Sequence, residues 1–143
     1  MIIDNINSRI YGLLDLTKES AVKNLYSDCA TYLRVAIQFL KTKWKVLRNV
    51  EQGSIHFCSW VLNIYNYLIR VEDHRCNFEA VMGVYYDFKD IFPFSYPGLK
   101  IGKDCFEEGD PSPIKEIQLY YELALVTTKN SNSDTSCICK YLL

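Results

Sequence analysis

Gly53-Ser54-Ile55-His56-Phe57-Cys58-Ser59-Trp60-Val61-Leu62-Asn63-Ile64-Tyr65-Asn66-Tyr67-Leu68-Ile69-Arg70-Val71 places Phe57, Trp60, Val61, Ile64, Tyr67 and Leu68 three and four residues apart. That spacing returns a side chain to the same side of a 3.6-residue turn, so it predicts a helix with Ser54 as its capping residue. The apolar side is unusually broad. A helix with so wide an apolar stripe is expected at the centre of a bundle, with partners on several sides.

The flanking sequence supplies those partners. Between Thr17 and Asn49 there is no Gly or Pro, and Val22, Leu25, Tyr26, Cys29, Leu33, Ala36, Ile37, Leu40, Trp44 and Leu47 keep the helical step. This predicts a long amphipathic helix, broken at most once, with Thr17 as N-cap. Ile6, Ile10, Leu13 and Leu14 predict a shorter helix over 4–16. Downstream, Asp73 is expected to cap a helix bearing Phe78, Val81, Met82, Tyr85 and Phe88. That helix should stop near Phe92, because proline disfavours α geometry in the residue before it and Pro93 follows. Ser112-Pro113 has the order of a cap followed by a first-turn proline, and Ile114, Ile117, Tyr121, Ala124 and Leu125 follow at helical spacing. The fold expectation is all-α: a compact bundle of four to six helices with one long loop at about 93–112 containing Pro and Gly. A single domain over 1–129 and a flexible polar tail over 130–143 complete it.

Composition narrows the classes of function. The chain has 143 residues, 49% of them hydrophobic, which suits one globular domain. Its formal net charge is −1, too small for the whole molecule to steer a charged partner. The charge is uneven: residues 1–75 hold ten Lys/Arg against seven Asp/Glu, and residues 76–143 hold six against ten. No run of about 18 apolar residues exists, so no spanning helix is expected. The opening residues do not read as a secretion signal. The six cysteines are then expected as thiols in a reducing compartment, cytoplasmic or nuclear.

Chemical motifs are sparse. There is no Gly-x-Ser-x-Gly, no P-loop and no dinucleotide fingerprint, so neither an enzyme nor a bound cofactor is expected. His56-Phe57-Cys58 and His74-Arg75-Cys76 offer borderline N and S ligands for zinc. On a helix, however, residues two apart point to nearly opposite sides, so each pair gives a common site one ligand at best. A thiolate–imidazolium pair formed by Cys58 or Cys76 with a histidine depends on distances in the fold. Glu107, Glu108 and Asp110 lack EF-hand spacing and suit the start of the following helix. Lys41-Thr42-Lys43-Trp44-Lys45-Val46-Leu47-Arg48 is the strongest basic cluster, and positive charge beside an aromatic can hold phosphates and stack a base. Trp44 fits the apolar stripe equally well. Tyr65, Tyr67, Tyr85, Tyr86, Tyr96, Tyr120 and Tyr121 make the chain rich in a side chain that interfaces favour.

Leu68-Ile69-Arg70, His74-Arg75-Cys76 and Tyr85-Tyr86 resemble the helical middle of geminivirus pre-coat proteins, over less than a third of the chain. The resemblance implies a suppressor of RNA silencing, and the helix at 113–128 departs from that pattern. The functional expectation is a non-enzymatic protein–protein interaction module, such as a small virus-encoded accessory protein that binds and antagonises a host factor. Its expected contact residues are Lys41, Lys43, Trp44, Lys45, Arg48, Tyr65 and Tyr67. The alternatives are nucleic-acid binding through 41–48, and zinc binding by His56, Cys58, His74 and Cys76.

Overall fold

The computed structural model describes residues 2–92 and 112–130, and these form five helices. They are α1 (Ile2–Val22), α2 (Tyr26–Leu47), α3 (Gly53–His74), α4 (Phe78–Ile91) and α5 (Ser112–Asn130). The all-α expectation holds, with helices packed directly on helices. The long loop expected at 93–112 lies outside the described residues up to 111, and Ser112 already begins α5. The tail beyond Asn130 also lies outside them. No helix among the described residues is long and apolar enough to cross a membrane.

Several boundaries differ from the sequence expectation, each for a local reason. The first helix does not stop at residue 16. Thr17 is no cap but an interior residue, and its hydroxyl donates to the Leu13 carbonyl one turn back at 2.8 Å. The break comes at Lys23-Asn24-Leu25. There Asn24 adopts φ 60°, the Leu25 amide donates to the Ser20 carbonyl, and the Asn24 amide donates to the Ala21 carbonyl. This is a Schellman ending with asparagine in the left-handed position that glycine usually takes. The same ending recurs after α3: Cys76 has φ 60°, its amide donates to the Asp73 carbonyl, and the Asn77 amide donates to the Glu72 carbonyl. Asp73 is therefore inside α3, and α4 is capped by Asn77, whose side chain accepts from the Ala80 amide. Ser54 does not cap α3 either; the helix opens at Gly53 after Gln52 at φ 62°. Phe92 leaves α4 in extended geometry (ψ 126°), as the proline after it requires.

α3 is the central element and packs against all four other helices. Phe57, Val61, Ile64 and Leu68 from its predicted stripe are fully buried. So are Cys58 and Ile69, which lie outside that stripe, and Glu72 is nearly so. Burying each large apolar side chain contributes roughly 1.5–3 kcal/mol, so this helix anchors the bundle. The α2–α3 pair is antiparallel, and its register is marked by polar side chains. Arg34 of α2 meets Glu72 of α3 at 2.9 Å. Seven residues on along α2, and seven back along α3, Lys41 and Tyr65 both bind the carboxylate of Asp87 on α4. Trp60, near the start of α3, donates its indole N–H to Asn7 Oδ1 at 3.1 Å and ties α1 to the centre.

Candidate functional site

α5 is apolar on two opposite sides. Ile117 and Ala124 are fully buried. Successive helical residues turn by 100°, so Leu119, Leu123 and Val126 fall on the side away from that pair. They are exposed by 53%, 45% and 54%, with i, i+4, i+7 spacing. Burial within the described bundle accounts for the inner side of α5 only. The outer side is a short ladder of aliphatic side chains facing water. Lys115, Glu116, Glu122 and Lys129 are the charged residues of this helix.

Beside the buried side of α5, α4 contributes an aromatic cluster. The Tyr85 and Tyr121 rings stack with centroids 4.1 Å apart and planes 16° from parallel. Tyr86 meets the Tyr121 ring edge-on at 5.5 Å, and the two hydroxyls share a hydrogen bond of 2.9 Å. That hydrogen bond is the main reason the Tyr121 pKa lies above its ordinary value. The Lys89 ammonium sits 5.5 Å from the centroid of the Tyr85 ring. Tyr86 remains 54% exposed, so the cluster presents aromatic surface as well as joining the two helices.

The residues expected from sequence to contact a partner are scattered and mostly engaged within the fold. Tyr65 is 1% exposed, and its hydroxyl donates to Asp87 Oδ2. Burial, then the bond to Asp87, hold its proton far above the usual tyrosine range. Tyr67 is half-buried beneath the Arg70 guanidinium, and burial raises its pKa too. Lys41 is ion-paired with Asp87 at 2.9 Å. Lys43 lies 5.5 Å from the centroid of the Phe39 ring, and Trp44 packs half-buried on Phe57 with centroids 4.4 Å apart. Lys45 and Arg48 are exposed. Lys41 and Tyr65 do come together, through a carboxylate the sequence reading did not single out. Their meeting serves the α2–α3–α4 packing.

The two His-x-Cys pairs do not converge. His56 and His74 lie eighteen residues apart on one helix, about 27 Å at 1.5 Å per residue. His56 packs on Trp60 and His74 on Tyr26, while Cys58 is buried in the core. Cys76 holds the left-handed position that ends α3. No group of three or more His, Cys, Asp or Glu side chains able to hold a metal is gathered among the described residues.

Two polar features escaped the sequence reading. Glu72 is 2% exposed, yet it accepts from Arg34 at 2.9 Å and Arg75 at 2.7 Å, so its buried charge is matched on both oxygens. Cys29 donates its thiol to the Thr17 carbonyl at 3.3 Å, linking α2 to α1, and burial raises its pKa. No protein-family model, curated protein or solved structure matches this chain.

Proposed function

We propose that this chain is a non-enzymatic protein-binding module that presents α5 to an apolar groove on its partner. The outer ladder Leu119, Leu123 and Val126 carries the reading. An i, i+4, i+7 row of aliphatic side chains is the pattern by which a helix anchors in such a groove. Leaving three of them in water on one side of a helix has no use in the packing of the described bundle. Tyr86 adds exposed aromatic area, which interfaces favour. The reading places the protein inside the cell. The Cys29 thiol supports a reducing compartment, since it serves the core as a hydrogen-bonding thiol.

The test is site-specific photo-crosslinking in the producing cells. A photoreactive residue at position 123 should give a discrete adduct, and one at exposed Lys18 should give none. Leu119→Asp with Leu123→Asp should abolish the adduct formed from a crosslinker at Tyr86, and circular dichroism should remain unchanged. Equal adducts at 123 and 18 would remove the reading. So would a double variant that unfolds, because the ladder would then belong to the protein's own core.

A further inference from the structure

A second surface, on α1 and α2, has a different chemistry. The Arg9 guanidinium of α1 and the Lys43 ammonium of α2 lie 5.6 and 5.5 Å from the centroid of one ring, Phe39. Two cations so placed are at most about 11 Å apart. Neither makes an ion pair with any described residue. Attraction to the ring face offsets part of their mutual repulsion, but two positive heads around one aromatic still leave an uncompensated field.

The surrounding sequence deepens that field. From Cys29 to Val50 there are five cations and no carboxylate. Two of the five, Arg34 and Lys41, are neutralised by Glu72 and Asp87. Lys43 is not, and Lys45 stands exposed on the same turn. From Asn5 to Leu14, Arg9 is the one charged residue. Asp87, the carboxylate that Lys41 meets, is shared with Tyr65.

We infer that the Arg9–Phe39–Lys43 surface binds the phosphodiester backbone of single-stranded nucleic acid, independently of the α5 ladder. The two heads take successive phosphates. Recognition is of backbone charge, so the site is indifferent to base sequence. A strand suits it better than an isolated phosphate because the cations are spread along two helices and linked by an aromatic floor. The basic residues that sequence alone would assign to this task are thereby revised: Lys41 drops out and Arg9 enters.

The experiment is fluorescence anisotropy with a labelled oligo-uridine of about 20 nucleotides, titrated with the full chain at salt from about 50 to 200 mM. Two phosphate contacts predict a log–log salt slope of about −1.4. Arg9→Ser with Lys43→Ser should weaken binding about tenfold or more and flatten the slope by roughly that amount. Lys18→Ser, and the Leu119→Asp/Leu123→Asp variant, should each stay within about twofold of the parent. Absence of binding at the lowest salt overturns the inference, as does binding that ignores the double serine variant. Full displacement by inorganic phosphate near 10 mM would also overturn it, since an isolated anion would then satisfy the site on its own.

Discussion

Gly53 is the position where the packing makes its sharpest quantitative demand. It is the first residue of α3 and is buried against the end of α2. A Cβ built there would stand 1.8 Å from the Leu47 carbonyl oxygen and 2.7 Å from its carbonyl carbon. Real Cβ atoms essentially never approach closer than 3.0 Å, so backbone would have to retreat by more than an ångström. Leu47 is itself fully buried and cannot retreat without disturbing the core. Overpacking costs about 1–3 kcal/mol or more, against a gain of about 0.4–1 kcal/mol from stiffening the unfolded chain. Gly53→Ala should therefore destabilise the protein by about 2 kcal/mol or more, lowering the melting temperature by roughly 6–10 °C for a domain of this size. Gly12 and Gly83 provide the contrast, because both lie inside helices and a Cβ on either meets nothing within 4 Å. Alanine at each should stabilise by about 0.5–1 kcal/mol, raising the melt by a few degrees. Thermal and urea unfolding followed at 222 nm measure all three. A Gly53→Ala melt within about 2 °C of the parent, or three shifts of one sign, would refute the reasoning.

Three further outcomes follow from particular contacts. Tyr65→Phe removes the donor to Asp87 and should cost about 1–2 kcal/mol, since Asp87 keeps its pair with Lys41. The Tyr65 pKa is raised in the folded state, so its contribution is complete below the unfolded value of about 10 and is lost as pH climbs through the folded one. The parent should accordingly lose stability above that point faster than Tyr65→Phe, and alkaline difference absorbance should show one tyrosine refusing to ionise until the fold opens. Glu72→Ala should cost about 2 kcal/mol in urea unfolding. That is below the 3–5 kcal/mol typical of breaking a fully buried pair, because the Arg34 and Arg75 guanidiniums both reach water. Asn24→Gly should be neutral or slightly stabilising, and Asn24→Val should lose about 1–2 kcal/mol, because a branched side chain resists the left-handed geometry. Equal stabilities for the two would mean that this turn does not end α1.

The helices that the sequence displayed well were those with one dominant burial pattern. Phe57 through Leu68 and Phe78 through Phe88 have no competing interpretation, and Pro93 and Pro113 punctuate without ambiguity. The α1–α2 break was hidden because Asn24 performs a role usually signalled by glycine, while Thr17 looks like a cap but bonds backward within its own helix. Glu72 was invisible for a different reason. Its burial depends on Arg34, thirty-eight residues away, and no local pattern announces that pairing. The same holds for Asp87, which joins Lys41 to Tyr65 across three helices. The outer ladder of α5 could have been found by reading the side opposite Ile117 and Ala124. The basic run at 41–48 was legible as charge but not as a surface, because Arg9 reaches it from another helix.

The paired polar clasps between α2 and α3 bear on how the molecule yields under load. Because they sit two turns apart on both helices, sliding one helix by a single turn would undo both at once, so the pair resists shear far better than separation at its ends. Between α5 and α3 the Arg70–Glu116 pair is exposed and 3.8 Å long, and α5 is held mainly by its buried Ile117 and Ala124 and by the stacked tyrosines. A tug on α5 should therefore peel it away as a unit, with the middle of the bundle still standing.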